Sequence, residues 1–176
     1  MLNNILSKLN FFKNKPKIIV IVKNNNEKKL IKKLVFQITL KSFDKEISFI
    51  DNINNIEKIN LSLVKYLILS FDDNKIEEVQ KKISAKILTV GFQWGADFQA
   101  SDLKQQDGYT NFKINHQGKI VPIWLKGYLN QEEMFAVLSA IAIGTIFELN
   151  LVEISQIFLN GNISKANAAG PHRLEA

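Results

Sequence analysis

One loop in this chain has the residue types to meet a phosphate, Lys23-Asn-Asn-Asn-Glu-Lys-Lys29. A phosphate-cradling loop needs glycines, so that backbone N–H groups converge on the anion. It also needs a Lys for the terminal phosphates and a Ser or Thr for Mg²⁺. This loop has no Gly, Ser or Thr, and Asn enters left-handed backbone less readily than Gly. Lys28 and Lys29 are its candidate anion ligands, at the start of a helix, and Glu27 beside them would repel an anion. From chemistry alone the loop reads as a solvated turn.

Acid–base or metal chemistry would have to come from Asp72-Asp73, Asp97, Asp102, Asp107 or the Glu132-Glu133 pair. Asp72-Asp73 follows a strand, where open α/β sheets place ligands, although Asp and Asn there also cap the next helix. Glu132 and Glu133 fall in a first helical turn, where acids suit the dipole. Cysteine is absent and histidine is limited to His116 and His172. Disulfides, thiol nucleophiles and Cys-based zinc sites are therefore excluded, and a Ser-His system has almost no material. His116 sits before the Gln117-Gly118 turn with no obvious partner. Trp94 and Trp124 read as either core or surface aromatics.

The 176 residues suffice for one domain, and a 46% apolar content argues against disorder. The net charge of +6 is uneven. Residues 1–90 hold 17 Lys against 9 acids, and residues 91–176 hold 6 basic residues against 8 acids. Arg173 is the single Arg. Phosphate and guanine recognition leans on Arg, so the composition argues against nucleic acid as a partner. The longest uncharged apolar stretch, Met134–Phe147, has 14 residues, short of the ~20 that span a bilayer. No signal peptide is read in residues 2–12, and a cytoplasmic location is expected.

The elements that must position these residues follow from periodicity. Leu2, Ile5, Leu9 and Phe12 fit a short amphipathic arm over 1–16. It reads first as a packing arm; the alternative is weak membrane-surface contact through residues 2–17, helped by Lys8, Lys13, Lys15 and Lys17. Lys17–Val22 is a β-branched run of the buried parallel type, and a helix follows through Leu30, Ile31, Leu34, Val35 and Ile38. Ile47–Ile50, Lys65–Ser70 and Lys86–Val90 read as further strands. Asn74 with Glu77 opens a helix between the last two. Asn52–Leu63 is ambiguous. After Gly91, Ala96–Leu103, Tyr109–Asn115 and Lys119–Lys126 read as an antiparallel meander with turns at Asp107-Gly108 and Gln117-Gly118. Pro122 makes the third of these an edge strand or a bulged one. Asn130 with Glu133 and Asn150 with Glu153 announce two helices, the first apolar on nearly every side and hence buried. The expected fold is α/β: a Rossmann-like, mostly parallel sheet with flanking helices, followed by an antiparallel β meander and two C-terminal helices.

The order of these features resembles the central domain of the Mur ligase family. Tyr66-Leu-Ile-Leu-Ser-Phe-Asp-Asp73 is similar to its strand and Asn-Ala-Asp-Asp turn, and Ile87-Leu-Thr-Val-Gly-Phe92 to its next strand. Ala96-Asp-Phe-Gln-Ala-Ser-Asp-Leu103, the Gly108 turn and Phe112-Lys-Ile-Asn115 resemble its meander. Gly127 with Ser139-Ala-Ile-Ala142 resembles its Gly-x-His-Asn…Asn-x-x-Ala-Ala segment. Phe147–Leu151 and Ile154–Leu159 resemble the helix pair after it. Gly170-Pro-His-Arg-Leu-Glu175 resembles the hinge stretch that leads to the family's C-terminal domain. The likeness is nearest to the type that adds D-alanyl-D-alanine to UDP-muramoyl-tripeptide.

Placed on the family's P-loop, Thr-Gly-Thr-x-Gly-Lys-Thr-Thr, Lys23 and Asn26 replace glycines, Glu27 stands at the Lys and Lys28 at the Thr. The family's cofactors are ATP and Mg²⁺. With Glu27 in the loop, and no His in residues 1–115 to serve as the family's metal-binding His, none is expected here. Ala136 stands where the family's helix motif has a nucleotide-contacting Asn, and Arg173 alone matches one of its nucleotide contacts. The resemblance thus implies an arm over 1–16, a shortened central domain over 17–160 and a hinge-like tail over 161–176, with the C-terminal ligase domain absent.

The favoured expectation is a degenerate Mur-ligase-like domain without catalysis, a scaffold or partner for an intact Mur ligase or other cell-wall enzyme in peptidoglycan precursor synthesis. One alternative is an ATP-dependent amide ligase, as a fragment or with a partner chain. The other is a small basic nucleic-acid-binding protein, resting on the Lys-rich front half.

Overall fold

A computed structural model describes residues 17–39, 46–51, 64–71 and 76–161. The arm over 1–16, Asn52–Leu63, Asp72–Asn74 and the tail with His172 and Arg173 lie outside the described residues. Seven strands form one sheet: β1 (Lys17–Ile21), β2 (Ile47–Ile50), β3 (Val64–Ser70), β4 (Lys86–Gly91), β5 (Phe98–Gln106), β6 (Tyr109–His116) and β7 (Lys119–Lys126). Among the described residues four helices accompany them: α1 (Asn25–Thr39), α2 (Ile76–Lys82), α3 (Gln131–Ile146) and α4 (Leu151–Asn160).

The strand order is β2-β1-β3-β4-β5-β6-β7. β2, β1, β3, β4 and β5 run parallel, and β5-β6-β7 run antiparallel. The chain leaves β1 for β2 on one side and later takes up β3 on the other. The carboxyl end of β1 is thus a topological switch point, where open α/β sheets bind ligands. After Lys17, β1 consists of β-branched residues, and Ile18, Ile19 and Val20 are fully buried, as a strand covered on both faces requires.

The meander is part of the same sheet. Val90 pairs with Phe98 and Gly91 with Gln99 in parallel register. Residues 92–97 double back, so β5 starts where β4 ends and carries the meander past the carboxyl edge of the parallel strands. Both hairpin turns have positive φ at two successive positions, 53° and 79° at Asp107-Gly108 and 52° and 76° at Gln117-Gly118. That is the type I′ geometry that matches strand twist. Pro122 lies on β7, the sheet's edge strand, as its missing N–H demands.

One face of the sheet carries the main core. Ile31, Leu34, Val35 and Ile38 of α1 join Ile18, Val20, Ile68, Leu88, Phe98, Ile114 and Ile123 beneath α3 and α4. The other face buries Ile19, Leu67 and Leu69 against Val79 of α2. α3 is apolar all round, with Met134 through Gly144 buried, because it is wedged between α1, α4 and the sheet. Asn130 and Asn150 cap α3 and α4, each with its partner glutamate, Glu133 or Glu153, completing a capping box.

Candidate functional site

The switch point is formed by the β1–α1 loop. Asn24 is the cap of α1, and its Oδ1 accepts the backbone N–H of Asn26 at 3.0 Å and of Glu27 at 2.9 Å. The Glu27 carboxylate turns back and accepts the Lys23 backbone N–H at 2.6 Å. Asn24 Nδ2 donates to Glu132 Oε2 at 2.8 Å, which ties the loop to the first turn of α3. Three backbone N–H groups at this helix start are therefore taken by the chain's own side-chain oxygens.

The turn is largely solvated as expected, with Lys23, Asn25, Asn26 and Lys29 exposed, but Glu27 is only 6% exposed and folds inward. Burial pushes the Glu27 carboxyl above its ordinary value, and the nearby Glu132 pushes the same way. The Lys23 N–H and the Lys23 charge oppose them. A phosphate arriving here would find a carboxylate in its place and a second one, Glu132, beside it. Lys23 Nζ lies 5.2 Å from the centroid of Phe135, a cation–π distance.

Of the two candidate anion ligands, Lys28 is half-buried with its Nζ 5.7 Å from the Phe49 ring of β2, and Lys29 is exposed. Arg173 and Asp72-Asp73 lie outside the described residues. The remaining carboxylates have structural partners. Asp97 Oδ2 accepts the N–H and the hydroxyl of Thr89, each at 2.8 Å, and Thr89 Oγ accepts the Asp97 N–H at 3.0 Å. Asp102 pairs with Lys113 Nζ at 2.7 Å, and this contact holds its carboxyl below the ordinary range. Asp107 belongs to a turn and Glu133 to a cap. Among the described residues no three His, Asp or Glu side chains gather as metal ligands would.

His116 does have partners, contrary to the sequence reading. Its Nδ1 lies 2.7 Å from the Asp97 carbonyl, and its ring stacks on Phe98 at 3.9 Å and 7°. These contacts come from the doubling-back of residues 92–97, which hydrophobic spacing does not encode. Trp94 and Trp124 are surface residues, 89% and 41% exposed. Ala136 is fully buried in α3 and offers no polar group to the loop. No helix among the described residues is long and apolar enough to cross a membrane.

No family model matches the chain. Over 93 residues it is 34% identical to the UDP-N-acetylmuramate--L-alanine ligase of Vesicomyosocius okutanii subsp. Calyptogena okutanii (strain HA), covering 52% of this chain and 19% of that protein. Among solved structures it is similar to MurF from Acinetobacter baumannii, with a TM-score of 0.63 and 11% identity over 89% of this chain and 48% of the other. It is also similar to MurF ligase from Thermotoga maritima in complex with ADP, with a TM-score of 0.56 and 10% identity over 88% and 52%. The chain thus has a Mur-ligase-like fold and spans about half the length of those structures and about a fifth of the curated relative.

Proposed function

We propose that this chain is a Mur-ligase-like central-domain unit that does not hold ATP at its first loop. It acts without catalysis of its own, as a cytoplasmic scaffold or partner of an intact ligase in peptidoglycan precursor synthesis. The observation that carries this reading is the Glu27 carboxylate on the Lys23 N–H, with Asn24 taking the N–H groups of Asn26 and Glu27. Phosphoryl transfer depends on backbone donors and cations placed around the phosphates. Here the donors are occupied and an acid stands inside the loop.

Thermal unfolding with and without ATP tests the loop. A ligand at a hundred times its Kd would add about 2.7 kcal/mol of stability. We expect no Mg²⁺-dependent rise in Tm with ATP, and such a rise would overturn the reading. A tagged chain is expected to retain an intact Mur ligase from its own cell. If none is retained, the partner role fails.

A further inference from the structure

A second concavity lies at the opposite, amino end of the parallel strands, with a volume of about 510 Å³. Lys65 and Tyr66 reach it from the start of β3 and Lys86 from the start of β4. His116 and Lys119 reach it from the β6–β7 hairpin, Thr145 from the last turn of α3 and Glu148 from the turn that follows it. Three lysines and one glutamate thus line it. None of Lys65, Lys86 and Lys119 forms an ion pair among the described residues, although Glu148 lines the same space. The positive charge of this concavity is unspent.

His116 is held in a fixed pose there. A carbonyl only accepts, so the 2.7 Å contact with the Asp97 oxygen places the proton on Nδ1. That leaves Nε2 as the ring atom available to a ligand. The ring's inner side is stacked on the fully buried Phe98, which locks its orientation, and Leu88 and Leu149 supply apolar wall. Three lysines, a preset imidazole, the Thr145 hydroxyl and an apolar floor suit a compact organic phosphate, with the phosphoryl group toward the lysines and the body toward the rings.

We infer that this amino-end concavity is a binding site for a small organophosphate with an aromatic or apolar body. It is separate from the β1–α1 loop and independent of Mg²⁺. Its test is titration of the full chain with phenyl phosphate in Mg²⁺-free buffer. Calorimetry is one readout. The His116 ring protons are the other, assigned with His172→Gln. We expect saturable binding that shifts the His116 signals. Lys86→Gln and Lys119→Gln, both at exposed positions, should each weaken binding about tenfold, the loss of one charge-assisted contact. Glu148→Gln should tighten it by two- to fivefold, because it removes the one acid.

Absence of saturable binding, or affinity unchanged in all three variants, would overturn the proposal. So would loss of binding in Lys28→Gln/Lys29→Gln with Lys86→Gln and Lys119→Gln unaffected, which would place the anion at the β1–α1 loop. That last outcome would also count against the loop reading above, whereas the others would leave it standing.

Discussion

The Glu27 carboxylate lies 2.6 Å from the Lys23 backbone nitrogen, four residues back, at the switch point of the sheet. The bond closes the loop on itself with an anion inside. It relieves part of the cost of burying that anion, and the carboxyl is still held above its ordinary value.

The sign of the resulting pH dependence follows. The folded protein binds this proton more tightly than the unfolded chain does. The stabilising contribution is complete below the ordinary glutamate value of 4.5 and is lost as pH rises through the higher folded value. Glu27→Gln keeps an oxygen for the Lys23 N–H and cannot ionise. The Tm of Glu27→Gln minus that of the unaltered protein should therefore grow as pH is raised from 4 to 7. A difference that stays flat, or shrinks, would show that Glu27 does not carry this burden.

Much of this architecture was legible because its signals are local. Asn-x-x-Glu at 130–133 and 150–153 reads as a capping box, and both boxes form. Pro122 has no N–H to give, so its strand was expected to be an edge or a bulged one, and β7 is an edge. The site was less legible because its partners are distant in sequence. Asn24 meets Glu132 across 108 positions. Spacing likewise announced three strands after Gly91, but not that the first pairs in parallel with β4. That pairing rests on side-chain hydrogen bonds between Asp97 and Thr89.

The Asp97–Thr89 clasp should carry measurable energy. Thr89 is 6% exposed, and Asp97→Ala strands its N–H and its hydroxyl together. Leaving buried donors unpaired costs about 1–3 kcal/mol. Urea unfolding should show a loss in that range for Asp97→Ala. A double-mutant cycle with Thr89→Val should give a coupling of about 0.5–3 kcal/mol. Additive single effects would mean that the clasp does not fasten β5 to β4.

Gly144 of α3 packs against Ile154 of α4 and Ile38 of α1. A Cβ built there would sit 2.9 Å from Ile154 Cδ1 and 3.4 Å from Ile38 Cγ2. Ile154 Cδ1 ends a flexible side chain, so Gly144→Ala should cost little, its strain offset by the roughly 1 kcal/mol gained in helix propensity. Gly144→Val adds branches with nowhere to go and should destabilise by about 1–3 kcal/mol. Chemical denaturation of the pair checks this. Equal stability of the Ala and Val variants would show that the interface has room.

Glu148 ends α3 in left-handed backbone, φ 64°. The Leu149 N–H reaches back to the Gly144 carbonyl at 3.1 Å, and the Glu148 N–H to Thr145 at 3.0 Å. This is the Schellman arrangement, whose left-handed position usually holds Gly because a Cβ there meets the carbonyl. An L-residue pays about 1–2 kcal/mol for that backbone, and Gly returns part of it as unfolded-state entropy. Glu148→Gly should therefore raise stability by up to about 1 kcal/mol, read as a higher urea midpoint at unchanged slope. Glu148→Gln keeps the Cβ and should show no such gain. If Gln stabilises as much as Gly, the effect is the removal of charge rather than of strain.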